Sequence, residues 1–169
     1  MAVRIATQRD IPALIEIGRR IHAESRFQRM GYDADKLAHS AEQIVGSGQT
    51  THCCFVSEFD GQLSGLFVGC IEEYFFSHAR VAHSILMYVA PERRGGPTAL
   101  RFIMAFRNWA TNRQAAELTI NVASGVSIER TDRFLKRVGL RLTGGNYSVA
   151  LGAQDRPRSG IGSSLGLLS

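Results

Sequence analysis

No stretch of the chain comes near the ~20 apolar residues that a membrane-spanning helix requires. The longest apolar candidate, Val81 to Val89, is interrupted by His83 and Ser84, so no membrane span is expected. The N-terminus places Arg4, Arg9 and Asp10 where a secretory signal needs an uninterrupted apolar region, which points to a cytosolic protein. Cysteine is scarce, and Cys53, Cys54 and Cys70 show no C-x-x-C or Cys/His ligand spacing, so no metal site is expected. The adjacent Cys53 and Cys54 would point to opposite faces of a strand, and all three read as buried thiols in a reducing compartment. Lysine is nearly missing: of 20 Lys+Arg only Lys36 and Lys136 are lysines. The arginines are spread along the whole chain without a basic stripe or interleaved aromatics, which disfavours nucleic acid as a partner.

What is present is an ordinary globular balance, 169 residues at 44% hydrophobic and 21% charged, enough for one domain with its own core. At this length folding buries about 70% of the surface of the unfolded chain, so no metal or disulfide staple is needed. The net charge of +5 is carried by guanidinium forks, which suit phosphate and carboxylate and make an anionic ligand plausible.

Along the chain, Val3 to Ala6 reads as a short strand, and Asp10 is expected to cap a helix in which Ile11, Leu14, Ile15, Gly18 and Ile21 share a face, with Pro12 in the first turn. A polar and aromatic loop containing Arg26, Phe27 and Tyr32 precedes a second helix with Leu37, Ala41, Ile44 and Val45, ended by Gly46-Ser47-Gly48. His52 to Phe59 and Leu63 to Tyr74 read as strands joined at Asp60-Gly61, a dipeptide suited to a tight hairpin. A third strand, Val81 to Val89, follows a turn at Ser77-His78 and completes an antiparallel meander. Pro91-Glu92-Arg93-Arg94-Gly95-Gly96-Pro97 then opens a long helix with Ala99, Ile103, Phe106 and Ala110 on one face. Glu117 to Val122 is a strand, Ser127 is placed to cap a helix carrying Phe134, Leu135 and Val138, and Gly139 ends it before strands at Leu140 to Leu142 and Tyr147 to Leu151. The order is β-α-α-β-β-β-α-β-α-β-β, an α/β (α+β) chain.

A helix start offers orphan N–H donors and about half a positive charge, and glycine lets a phosphate approach the backbone. Gly95-Gly96 before a helix therefore raises a phosphate site on chemistry alone. The element order from Val3 to Leu151, together with Tyr88-Val89-Ala90-Pro91-Glu92-Arg93-Arg94-Gly95-Gly96-Pro97-Thr98-Ala99, resembles the GNAT superfamily of N-acetyltransferases. The resemblance implies a mixed, mostly antiparallel central sheet flanked by helices, with a loop of Q/R-x-x-G-x-G/A type holding the pyrophosphate of acetyl-CoA. Arg94 and Ala99 fit the first and last positions of that pattern. Pro97 takes the first glycine position and has no N–H to give, while Gly95, Gly96, Thr98 and Ala99 keep theirs. Arg93 and Arg101 add charge nearby, and Arg130, on a basic helix with Arg133, Lys136 and Arg137, is implied to lie close to the CoA tail. Asn121-Val122 through Arg130, then Phe134 to Leu140, are similar to the closing segments of the family, with Asn121 a further cofactor contact.

The reaction implied is direct attack of an unidentified amine on the thioester, with the oxyanion bonded where the Met87-Tyr88-Val89 strand splays. His83, six residues before Val89, is the candidate base, with Glu72 and Glu73 as rivals of which at most one faces the site. Leu135 stands where the family commonly has the tyrosine that protonates the leaving thiolate, so slow catalysis or another donor is expected, Tyr88 and Tyr147 being candidates. Phe75-Phe76 and the Phe27/Tyr32 loop are candidates for lining an acceptor pocket, or for the core in the case of Phe75-Phe76.

After Gly152 the composition turns to Gly, Ser, Arg and Pro, so 1–151 reads as the domain and 152–169 as a tail whose Ile161, Leu165, Leu167 and Leu168 suit a contact with a protein partner or a second copy. The wording of Pro91 to Thr98, Trp109-Ala110 and Gly144-Gly145-Asn146-Tyr147 looks most like small GNAT-type proteins of tailed bacteriophages. That resemblance implies a host-cytoplasmic transferase or, alternatively, a non-catalytic virion component anchored through the tail.

Overall fold

The computed structural model describes residues 2–149. Their elements are β1 (Val3–Ile5), α1 (Ile11–Glu24), α2 (Ala34–Gly46), β2 (His52–Phe59), β3 (Gln62–Tyr74), β4 (Ser77–Val89), α3 (Thr98–Asn112), β5 (Ala115–Thr119) and α4 (Ile128–Arg137). Short 3-10 turns lie at Gln8–Asp10, Arg26–Arg29 and Pro91–Arg93. The sheet order is β1-β2-β3-β4-β5, antiparallel throughout except for the parallel pair β4/β5. This is the mixed, mostly antiparallel sheet flanked by helices expected from the sequence.

The hairpin at Asp60-Gly61 forms with positive φ at both residues, 49° and 73°, as its tight turn requires. The next turn is displaced from its expected place: Tyr74 pairs with Ser77, so Phe75 and Phe76 form the tip. Phe75 and Phe76 are 101% and 85% exposed, so they are no part of the core. The two final strands are absent among the described residues. Leu142, Tyr147 and Val149 alternate with polar residues as a strand would, yet they stand 75%, 99% and 77% exposed around Gly144-Gly145. Alternation without a paired neighbour does not hold a strand, and β5 is left as the sheet edge among these residues. Residues 150–169, with the tail, lie outside the described residues.

Each sheet face has its own core. α1 and α2 cover one face with Leu14, Ile17 and Ala41 against Cys54, Val56, Leu66, Val68 and Tyr88. α3 covers the other with Phe102, Phe106, Trp109 and Ala110 against Cys53, Phe55, Phe67 and Ala82. Cys53 and Cys54 thus point to opposite faces as strand geometry dictates, and burial pushes both thiols up to about 12. Gly69 is a close approach: a Cβ there would come within 2.6 Å of the Phe106 ring.

Two expected caps do not form. Asp10 lies in helical backbone, φ −83° and ψ −15°, so its carboxylate cannot reach forward over α1 as an extended N-cap does. It turns back instead, taking two Arg4 bonds at 2.8 Å and the Thr7 N–H at 2.7 Å. Ser127 is left-handed at φ 47° and caps nothing with its side chain. No helix among the described residues is long and apolar enough to cross a membrane, and no cluster of three His, Cys, Asp or Glu among them suits a metal.

Candidate active site

β4 and β5 pair only from Arg80 opposite Ala115 to His83 opposite Thr119. Just beyond, the β3/β4 register slips: Leu86 faces Val68 while Ser84 faces Gly69, so Ile85 is an extra residue in β4. Such a bulge bends the strand that carries it. From Ile85 to Val89 β4 therefore continues without β5 beside it, and the two strands part. Asn121 pins the vertex, its N–H donating to Ser84 Oγ at 2.8 Å and its side-chain amide to the Ser84 carbonyl at 2.9 Å. In this run, unpaired on its β5 side, Ile85 stands 55% exposed and the side chains that follow are already committed. Met87 and Val89 pack toward α3 and Tyr88 into the α1 core, which leaves the backbone edge.

The far end of the gap is the glycine loop. Gly95 has φ 91°, and a Cβ on it would meet Arg130 Nη2 at 3.2 Å; one on Gly96 would meet the Arg93 carbonyl at 3.3 Å. α3 then starts at Thr98 after Pro97 with no side chain capping it, so Thr98 and half-buried Ala99 open a 15-residue helix with its positive dipole end toward the loop. Arg130 of α4 is thus brought against the loop. Arg93 is not: its guanidinium lies 3.1 Å from the centre of the Phe59 ring, drawn by the exposed aromatic face at the β2–β3 hairpin. Arg94 is engaged on both sides, its Nε donating to the Val89 carbonyl at 2.9 Å and its Nη2 pairing with Glu24 at the end of α1.

His83 stands at the last β4/β5 pair, on the sheet face toward α1. Its Nδ1 lies 2.9 Å from Thr119 Oγ1. Its Nε2 is 3.0 Å from Glu72 Oε1, at ion-pair distance but off the line of a hydrogen bond, so this covered nitrogen has no hydrogen-bond partner among the described residues. The exposures decide which member meets solvent: 66% for Glu72 against 27% for His83. Glu73 projects from the other sheet face and pairs with His78 Nδ1 at 3.1 Å, away from this group. Burial, with Glu24 next in effect, pushes the Tyr88 hydroxyl up from its ordinary value and keeps it protonated. Tyr147 is fully exposed and outside the group, and Leu135 is half-buried on α4.

The residues that sequence reasoning missed are Glu24, Ser84 and Thr119. Each acts across a contact 36 to 70 residues long in sequence, for which no local signal exists.

No protein-family model matches this chain, and no curated protein matches it in sequence. Solved structures do match in shape. A predicted acetyltransferase from Clostridium acetobutylicum, solved with acetyl-CoA, aligns with a TM-score of 0.72 at 18% identity over 89% of this chain and 96% of its own. Glucosamine-6-phosphate N-acetyltransferase from Arabidopsis thaliana aligns at 0.71 and 15% identity over 89% and 98%. AAC(6')-Iy, in complex with the bisubstrate analog CoA-S-monomethyl-acetylneamine, aligns at 0.71 and 16% identity over 88% and 96%. At these identities the likeness is one of architecture, and it establishes that the chain has the fold of the GNAT acetyltransferases.

Proposed function

We propose that this chain is an acetyl-CoA-dependent N-acyltransferase acting on an amine. The observation that carries the reading is the parting of β4 and β5 at the Ile85 bulge, leading to a glycine loop at the start of α3 over which Arg130 lies. The loop fits a phosphate chemically: Gly95 and Gly96 leave the backbone bare, and Arg130 supplies a guanidinium beside the helix dipole. In this reading Gly95, Thr98 and Ala99 hold the pyrophosphate through N–H groups, Gly96 joining them by giving up its 3.4 Å bond to the Arg93 carbonyl, and the Met87-Tyr88-Val89 edge holds the pantetheine arm and the oxyanion. Acetyl-CoA, a substrate, brings the acyl group as an activated thioester.

The residues of the chain supply positioning and proton transfer. Glu72 and His83 act as one base: the exposed carboxylate meets the acceptor amine, while Thr119 fixes the His83 ring behind it. The leaving thiolate has an ordinary pKa near ~8.5 and departs without strong help. Tyr88, held protonated, is the hydroxyl donor nearest this role in the absence of a tyrosine at Leu135. The neighbours solved with acetyl-CoA or a CoA analog support the cosubstrate.

Leu135 favours a second reading, a non-catalytic docking protein such as a virion component, because it removes the usual proton donor. Calorimetric titration of the full-length protein with acetyl-CoA and with CoA separates the two. Micromolar binding is expected; no binding up to millimolar concentration overturns the transferase reading.

A further inference from the structure

Three consecutive residues at the end of α1 join the two walls of the gap. Glu24 holds the Nη2 of Arg94, on the loop that follows β4. Ser25 is 3% exposed, and its Oγ takes the Phe27 N–H, fixing the turn. Arg26 then reaches the segment that follows β5: its N–H donates to the Ser124 carbonyl at 3.0 Å, its Nε to the Ala123 carbonyl at 2.6 Å and its Nη1 to Ser148 Oγ at 3.3 Å. Gly125, at φ 77°, makes the left-handed turn beside this side chain, whose Cβ a Cβ on Gly125 would meet at an ordinary contact distance of 3.6 Å. One wall is anchored through a charge pair and the other through backbone carbonyls.

The two anchors differ in what can displace them. Carbonyls 123 and 124 have no competitor in the proposed reaction. Glu24 has one, because Arg94 immediately precedes Gly95, so that a phosphate brought to the loop would be a rival anion to the Glu24 carboxylate for its guanidinium. Arg94 cannot move freely to satisfy both, since its Nε is already tied to the Val89 carbonyl at 2.9 Å. We propose that Glu24 couples cofactor binding to this strap: a phosphate at the glycine loop takes over Arg94, frees Glu24 and loosens residues 24–30 on the acceptor side of the gap. The inference rests on the transferase reading, and by linkage loss of the Glu24–Arg94 pair must favour the phosphate ligand as much as the ligand favours that loss.

The test is hydrogen–deuterium exchange of the full-length protein and of Glu24→Gln, each with and without CoA, alongside CoA affinity by calorimetry. In the wild type, CoA should raise exchange at the Arg26 amide and its neighbours. Glu24→Gln should show that raised exchange without ligand and bind CoA about two- to five-fold more tightly, the range an exposed charge pair can supply. If CoA binds but the variant binds it equally or more weakly and the 24–30 exchange does not respond, the coupling is wrong and the transferase reading stands. If CoA binds neither protein, the transferase reading itself fails. Arg26→Ala serves as the second variant: it frees the 123–124 wall but leaves the Arg94 competition, so its CoA affinity should match the wild type. An affinity gain equal to that of Glu24→Gln would overturn the assignment to Glu24.

Discussion

β4 presents two unlike faces. Toward α3 it offers Ala82, Met87 and Val89 to a core of Phe67, Phe102, Phe106 and Trp109, with Phe67 and Phe106 ring centres 4.8 Å apart. Toward α1 it offers His83 and Tyr88, beside Glu72, Thr119, Glu24 and Arg94. The first face is fixed by shape, with Gly69 cut back so that the Phe106 ring can lie on the strand. The second has its own aliphatic core, into which Leu86 and Tyr88 pack, and adds polar contacts near 3 Å at the end where His83 lies. Aromatic packing therefore distinguishes the α3 side, and any chemistry belongs to the α1 side. Substitutions on each face can break that division.

The largest effect is expected at Phe106, which is wholly buried, stacks on Trp109 and meets Phe67 at a tilt. Phe106→Ala removes a ring from a packed interior and should cost about 3–5 kcal/mol of folding stability, read by urea denaturation. A loss under about 1 kcal/mol would show that the aromatic core is not what holds the sheet together.

On the other face the expected loss is in rate. His83→Gln keeps a polar group opposite Thr119 but removes the imidazole nitrogen beside Glu72. With an acceptor amine in hand, the variant should lose about 10²-fold in kcat/KM and flatten the alkaline-rising limb of the pH profile, with the urea midpoint nearly unchanged. A full-rate variant with the same pH profile would remove the Glu72–His83 pair from the chemistry.

How much of this was legible in the sequence follows from the range of each signal. Asp60-Gly61 and the Gly95-Gly96 loop are local, and both fold as their residues dictate. The opposite orientation of Cys53 and Cys54, and of Glu72 and Glu73, follows from the two-residue period of a strand. The partners on the α1 face have no such signature: His83 meets Thr119 across 36 residues, Arg94 meets Glu24 across 70, and Arg26 meets Ala123 across 97. The expected strands after Gly139 fail for the converse reason. The alternation of Leu142, Tyr147 and Val149 is a local pattern that no neighbour among the described residues pairs. Asp10 combines both cases, since a residue type suited to a cap was read from its position, while its true partner, Arg4, is set by where β1 lies.

Asp10 tests what a charge pair adds to the apolar core on the α1 side. The Arg4 guanidinium, ahead of any burial effect, holds its carboxyl down from 3.8 to about 2. A carboxyl lowered by folding stabilises the native state above its unfolded pKa, and that contribution is lost as pH falls through the folded value. The window is therefore from about pH 4 down to about 2. Arg4 is 40% exposed, so solvent screening cuts the contribution to about 1 kcal/mol. Asp10→Asn should lower stability by that amount at pH 7, and the gap from the wild type should close as pH drops from 4 to 2. Urea midpoints across that range read both. A gap that stays constant with pH would mean that the Asp10 carboxylate is held by packing and not by charge, and the contrast between the two faces would then weaken at its α1 end.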